Sequence, residues 1–206
     1  TATTEIYTLS LHDALPICEA LTTFYVNASV LPEGMFYECA NLASAPELPA
    51  TALTLGCYEH LFYGCASLAV APELPATEMN EVCYRYMFAD CTSLTSPPAL
   101  PATTLANSCY YGMFYSCKNL AALPLLPATN MKYECYREMF FYCDNIKLSE
   151  TQTGEYQTAY RIPSKGTSSY SDTTQRSLHR MFVHTGGTFG KDYLTVLDGT
   201  PEVNTT

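Results

Sequence analysis

Apolar side chains recur along the centre of this 206-residue chain at a fixed interval of 26 residues. The most regular segment reads Cys-Tyr-x-x-Met-Phe-x-x-Cys at Cys83–Cys91, and it returns at Cys57–Cys65, Cys109–Cys117 and Cys135–Cys143. A constant period of roughly 20 to 50 residues is typical of proteins that stack one supersecondary unit many times. The pattern therefore predicts a solenoid of 26-residue repeats.

Within each repeat, the spacing of the apolar residues predicts a short helix. Cys57, Leu61 and Cys65 stand at positions i, i+4 and i+8, and Tyr58 and Phe62 form an adjacent i, i+4 row. Residues at this spacing share one face of an α-helix. We therefore expect a two-turn helix with a broad apolar face in every unit.

A prolyl segment separates the predicted helices. Pro46-x-Leu48-Pro49-Ala50-Thr51 recurs at residues 72–77, 98–103 and 124–129. Proline holds its own φ and favours extended backbone before it, but it cannot donate to a sheet ladder. Each unit should therefore contain a brief strand or extended segment plus a short helix, which makes the predicted fold class α/β.

The two ends of the chain depart from the repeat. Residues 1–17, TATTEIYTLSLHDALPI, resemble a translated sequencing adapter, and we exclude them from the native protein. At the other end, Met139 and Met181 are 42 residues apart, with a polar insertion between them. We therefore predict an adapter-derived artefact at 1–17, a solenoid at 18–146, and an enlarged, degenerate repeat at 147–206 that caps the open core.

The charge of the chain limits its partners. The formal net charge is -10, with 20 acidic and 10 basic residues, and only Glu5 and Asp13 of the acidic ones lie in the excluded stretch. Binding to nucleic acid or to an anionic membrane needs clustered Lys and Arg, so neither is expected as a partner. Since no apolar run approaches roughly 18 residues, no membrane insertion is expected within this segment.

Nine of the ten cysteines follow the repeat, and we expect them to form reduced, buried ladders. Two cysteines eight residues apart on one helix would be about 12 Å apart, beyond the reach of about 7 Å for a disulfide. Zinc is not expected, because no Cys-x-x-Cys pair occurs. A disulfide framework, which such a cysteine content often indicates, remains the alternative.

The sequence contains no recognisable catalytic constellation. His60, His179 and His184 lie outside motifs with catalytic spacing, and His60 is interpreted as a residue on the helix surface. Neither a nucleophile elbow nor a glycine-rich phosphate loop is present. We therefore expect a protein without enzymatic activity and without a cofactor.

The positions that differ between repeats are the candidate partner-binding residues. One column is mostly aromatic, and a second changes from acidic to apolar along the array. The columns read Tyr37, Tyr63, Ala89, Tyr115 and Phe141, and Glu47, Glu73, Ala99 and Leu125. Solenoids bind through extended surfaces and aromatic side chains contribute much interface energy, so the aromatic and acidic members are candidates. Both columns also have a purely structural explanation. Aromatic rings can stack inside the core, and exposed glutamates are usually just solvated.

From about Met35 to Ile146 the chain resembles the BspA-like leucine-rich repeats of bacterial surface proteins. The likeness lies in the aromatic-x-x-Cys-x-x-Leu run followed by Leu-Pro, as in MFADCTSL and LPAT. Tyr160–Pro163 and Met181–Phe182 are similar to the closing unit of such arrays. The resemblance implies a leucine-rich-repeat solenoid, a location outside the cell or at its surface, and a role in adhesion.

The expected function is therefore a binding or adhesion module that recognises a protein or glycan ligand, most simply as a monomer. A structural spacer that projects another domain and binds nothing itself is the alternative. The binding module and the spacer differ in whether the function requires the exposed aromatic residues.

Overall fold

The computed structural model describes Leu31, residues 33–147 and 176–186, and the backbone of three short strands. These are β1 (Tyr160–Ile162), β2 (Leu197–Asp198) and β3 (Glu202–Val203), in the sheet order β2-β1-β3. β1 pairs parallel with β2 and antiparallel with β3. The excluded stretch 1–17 and most of the predicted cap at 147–206 lie outside the described residues.

Successive 26-residue units lie side by side and in register. Single parallel bridges connect Ala52 to Glu78, Glu78 to Thr104, and Thr104 to Asn130, and each bridge joins residues one period apart. Because the nearby prolines have no N–H to donate, strand-type pairing at this edge is limited to one bridge for each of these pairs of units. The period therefore identifies which residues become neighbours in space.

The predicted helix is wrong, because the Cys-Tyr segments form turns instead. The N–H groups of Tyr58 and Phe62 donate to the carbonyls of Cys83 and Met87 in the next unit, over 3.0 and 2.9 Å. Alternate residues, such as Leu61, donate to the carbonyl three residues earlier in their own unit. An α-helix would direct all of these N–H groups to the carbonyl four residues earlier. No described residue is helical, so none belongs to a helix that could cross a membrane.

Every fourth residue of these segments has a positive φ. The values are 62° at Gly56, 54° at His60 and 72° at Gly64, and the equivalent positions of the other described units repeat them. In a β-turn, a positive φ at the third residue reverses the chain and favours glycine. A period of four results, which places Cys57 and Leu61 on the same side just as a helix would.

The core consists of columns of identical rings that run along the stack. Phenylalanine rings of consecutive units are nearly parallel, with centroids 5.2 to 5.7 Å apart, and tyrosine rings form a second column at 5.8 Å. Such ring pairs contribute about 0.5 to 1.5 kcal/mol beyond their buried area. The buried members are Phe36, Phe62, Phe88, Phe114, Phe140 and Phe182, and Tyr58, Tyr84, Tyr110 and Tyr136.

Residues 176–186 continue the stack after the 42-residue interval. Backbone N–H groups of Tyr136, Glu138 and Phe140 donate to carbonyls in this segment over 2.9 Å, and Phe182 stacks on Phe140. The segment thus occupies the position of the next unit. The insertion before it does not change the register of the rings.

The ladder cysteines act as buried hydrogen-bond donors. The Sγ atoms of Cys65, Cys91, Cys117 and Cys143 donate to a phenylalanine carbonyl of the preceding unit over 3.0 to 3.1 Å. Burial raises the pKa of the Cys65 thiol to about 12, and the other ladder thiols shift in the same direction. Because the thiolate is the nucleophile, these groups are structural at neutral pH.

Cys39 departs from the predicted ladder. Eight cysteines in the described residues are free thiols, whereas Cys39 is disulfide-bonded. The expectation of nine reduced ladder cysteines is therefore wrong at this position. In the last unit, Thr185 replaces the second cysteine, and its Oγ1 donates to the Phe182 carbonyl over 3.0 Å.

Candidate ligand-binding site

A cavity of about 400 Å³ lies among the turn segments of five consecutive units. This volume falls within the range of roughly 300 to 1,000 Å³ that is usual for small-ligand sites. Its lining is mostly aromatic and includes one carboxylate. The lining residues are Tyr37, His60, Tyr63, Tyr86, Tyr115 and Glu138.

The turn conformation positions these side chains. Along one segment, Leu61 and Phe62 are buried, whereas the next two residues, Tyr63 and Gly64, are only partly buried. At Tyr37, Tyr63 and Tyr115, the residue that follows the core phenylalanine therefore leaves the core. It does so beside the column of positive-φ residues, which contributes His60 and Tyr86. Two columns of the repeat thus meet at the cavity.

The outer aromatic column is interrupted at the cavity. Tyr37 stacks on Tyr63 with centroids 4.8 Å apart, and Tyr115 stacks on Phe141 at 5.2 Å. The unit between these two pairs has Ala89 at this position. Tyr63 and Tyr115 both line the cavity, whereas Ala89 is 0% exposed and lies beneath it, outside the lining.

Tyr86 forms another wall of the cavity. Its ring is stacked on His60, with centroids 5.6 Å apart, and meets the ring of Tyr115 edge-on at 5.9 Å. The ring also lies over Gly112, where an added Cβ would stand 2.2 Å from Tyr86 Cε1. Only glycine leaves room for this placement, and its φ of +58° favours glycine as well.

The cavity has neutral rings with carboxylates close by. Burial, together with a hydrogen bond to Asp90, raises the pKa of Tyr63 to about 12. Burial and nearby carboxylates, including Asp90, also raise the pKa of Tyr37 and of Tyr115. Burial lowers the pKa of His60, so its imidazole is neutral near pH 7.

Two carboxylates near the cavity, Glu138 and Asp90, differ in whether a cationic side chain balances their charge. Glu138 is buried, and its Oε1 lies 3.5 Å from Arg137 Nε and 3.6 Å from Arg180 Nη1. Asp90 is half-buried and has no ion-pair partner among the residues that the structure describes. Asp90 therefore contributes an uncompensated negative charge to the site, and the exposed Glu38 next to Tyr37 contributes another.

Glu33, Glu59 and His60 bring ligand-type atoms within 4.8 Å of one another. Glu59 is buried and already bonded to Arg85, and His60 Nδ1 lies 3.8 Å from an oxygen of each glutamate. A buried carboxylate requires such a partner. We therefore interpret the group as the ion pair of Glu59 with Arg85, beside which the neutral His60 lies.

The structure brings together only part of the predicted binding set. Tyr37, Tyr63 and Tyr115 line the cavity, whereas Phe141 is 3% exposed and packs beneath the guanidinium of Arg180. The ring of Phe141 is therefore enclosed by packing and does not line the cavity. Glu47 and Glu73 are exposed, but neither lines the cavity.

Four residues of the site were not among the predicted binding residues. They are His60, which was interpreted as a residue on the helix surface, and Tyr86, Asp90 and Glu138. Three of them occupy the third position after the first cysteine, where the other described units carry Gly34, Gly112 and Arg180. The variation in this column was the available signal. The predicted helix separated this column from the aromatic one, so the two were not considered together.

Comparisons with known proteins give no match for this chain. No protein-family profile matches it, and no curated protein or solved structure is significantly similar to it. The likeness to BspA-like repeats therefore remains a prediction, and function has to be argued from the geometry of the site.

Proposed function

We propose that the chain is a non-enzymatic binding module of a secreted or surface-anchored bacterial protein. It recognises a protein or glycan partner through the cavity-bearing face of a leucine-rich-repeat-type solenoid. The observation that supports this most strongly is the second, outer set of rings. The inner phenylalanine and tyrosine columns already fill the core, so rings such as Tyr37, which is 38% exposed, are not needed to close it.

Partly exposed aromatic side chains around a concavity favour binding. Tyrosine is enriched among the residues that dominate interface energies, and such residues cluster in pockets. The thiols do not favour nucleophilic chemistry, because they lie in the core and burial raises their pKa. The negative charge of the chain also argues against polyanionic partners.

A structural spacer is the second candidate, and the continuity of the core favours it. The phenylalanine column runs from Phe36 to Phe182 through all the described units. A stack whose only task is to hold another domain at a distance needs these inner columns alone. It would tolerate polar replacements of the outer rings.

We expect Tyr37→Ser combined with Tyr63→Ser to weaken partner binding about tenfold or more, since each truncated anchor residue typically costs over 1 kcal/mol. The measurement is binding of the purified chain to an array of immobilised oligosaccharides and matrix proteins. Leu55→Ser combined with Val70→Ser is the matched control, because these apolar residues are 67% and 72% exposed and lie away from the cavity lining.

Retained binding in the control and loss in the tyrosine variant would support the proposal. Equal binding by all three chains, or no binding by the unaltered chain, would refute it in favour of the spacer.

A further inference from the structure

We propose that the cavity binds an alkylated ammonium group, held against tyrosine ring faces beside the carboxylate of Asp90. This inference rests on the proposed binding function and specifies the chemical class of the ligand. The group could belong to a small molecule such as choline or to a methylated lysine side chain, and the two share the same chemistry.

The first argument is the arrangement of the rings. Tyr63 has Tyr37 stacked on one face, and Tyr115 has Phe141 stacked on one face. Neither ring is stacked on a ring of the same column in the unit between them, because that unit carries Ala89 there, and both rings are only partly buried. A cation is attracted to an aromatic face within about 6 Å of the ring centroid. Two such faces border the same cavity, and Tyr86 closes it with a ring inclined at 68° to Tyr115.

The second argument is that other aromatic rings of the stack already hold cationic side chains of the chain itself against their faces. The guanidinium of Arg180 lies 4.4 Å from the centroid of Phe141, and that of Arg137 lies 5.1 Å from the centroid of Tyr111. Among the described residues, no cationic side chain lies over the rings of Tyr63 or Tyr115. These faces remain available to a cation from outside the chain.

The third argument is charge. Asp90 accepts a hydrogen bond from Tyr63 and lies near enough to Tyr37 and Tyr115 to influence both hydroxyls. His60 is neutral near pH 7, and Glu138 is compensated by Arg137 and Arg180. The carboxylates of Asp90 and of Glu38, which lies beside Tyr37, therefore make the local field negative. An anion would be repelled, whereas a cation gains from both the rings and the carboxylate.

The test is calorimetric titration of the full chain with choline and with its neutral isostere 3,3-dimethylbutan-1-ol. These probes have the same shape, and only choline carries a charge. We expect choline to bind about tenfold more tightly than the isostere. A peptide with one trimethyllysine, titrated in parallel, distinguishes a protein source from a small-molecule source by which probe binds more tightly.

Two variants and one control locate the site. Asp90→Asn should weaken choline binding about tenfold, because it removes the carboxylate charge while keeping a similar shape. Tyr115→Leu should weaken choline binding, because it removes an aromatic ring that lines the cavity while keeping an apolar side chain. Asp144→Asn, which alters an exposed carboxylate outside the cavity lining, should leave binding unchanged.

Equal affinity for choline and the isostere would overturn the inference, as would undiminished choline binding by Asp90→Asn. If choline and the peptide both fail to bind while array binding remains sensitive to Tyr37 and Tyr63, the inference fails and the proposed function stands. If choline binds and array binding is insensitive to these tyrosines, the cation site stands and the proposed function fails.

Discussion

Replacing Phe88 by alanine is expected to destabilise the chain by about 3 to 5 kcal/mol, as is typical for a fully buried phenylalanine. Phe88 is 0% exposed and stacks between Phe62 and Phe114, with centroids 5.6 and 5.7 Å away. The substitution removes both ring contacts at the middle of the described stack. In a one-dimensional array, stability comes from contacts between neighbours, so the two sides should also unfold in separate transitions.

Urea unfolding followed by circular dichroism measures both effects. Tyr133→Ala is the control, because it removes a ring that is 43% exposed and should change the free energy of unfolding by well under the Phe88 loss, about 1 kcal/mol at most. Similar losses for the two variants, with a single cooperative transition in each, would indicate a globular core rather than a linear stack.

Gly112→Ala is expected to cost about 3 kcal/mol or more, from two separate sources. The φ of +58° disfavours any residue with a Cβ by about 1 to 2 kcal/mol. The new Cβ would also stand 2.2 Å from Tyr86 Cε1, so the ring would have to leave its stacked position on His60. The substitution therefore strains the backbone and disturbs the cavity wall.

A double-mutant cycle separates the two sources. In a Tyr86→Ala background the ring is absent, so Gly112→Ala should cost only the backbone contribution of about 1 to 2 kcal/mol. The coupling energy between the two positions is obtained from the unfolding free energies of four chains, namely the unaltered chain, the two single variants and the double variant. A cost that is the same with and without the tyrosine ring would contradict the placement of Tyr86 over Gly112.

The repeat period was sufficient to predict which residues are neighbours, but not the backbone conformation between them. Phe62, Phe88 and Phe114 lie side by side because identical residues one period apart face one another in a stack. The helix was predicted from the i, i+4, i+8 spacing of Cys57, Leu61 and Cys65. Turns with a positive φ at every fourth residue produce the same spacing, so periodicity alone could not distinguish the two.

Glycine offered a partial signal against the helix. Gly34, Gly56, Gly64 and Gly112 all occupy positive-φ positions, and glycine is a poor helix former. At the equivalent positions of other units the columns carry residues such as Val82, with a φ of 52°. Their presence means that the sequence does not indicate a positive φ at these positions. A β-branched residue rarely adopts this conformation, so nothing in the sequence marked the position.

The candidate site was predictable only in its outer aromatic column. Tyr37, Tyr63 and Tyr115 were recognised because the residue in their column differs between repeats. The cavity itself also depends on Tyr86, whose position over Gly112 requires a residue without a Cβ. Such a site results from the local turn geometry, which the sequence pattern assigned to a helix.

The effect of Gly56→Ala on the free energy of unfolding tests most directly whether these segments are turns. At Gly56 the φ is +62°, and an added Cβ would meet only ordinary contacts, 3.4 Å from Glu59 Oε2 and 3.8 Å from Val82 Cγ2. In a turn with positive φ, alanine should destabilise the chain by about 1 to 2 kcal/mol. In a helix interior, the same substitution would stabilise it by about 1 kcal/mol, and that result would contradict the turn-built stack.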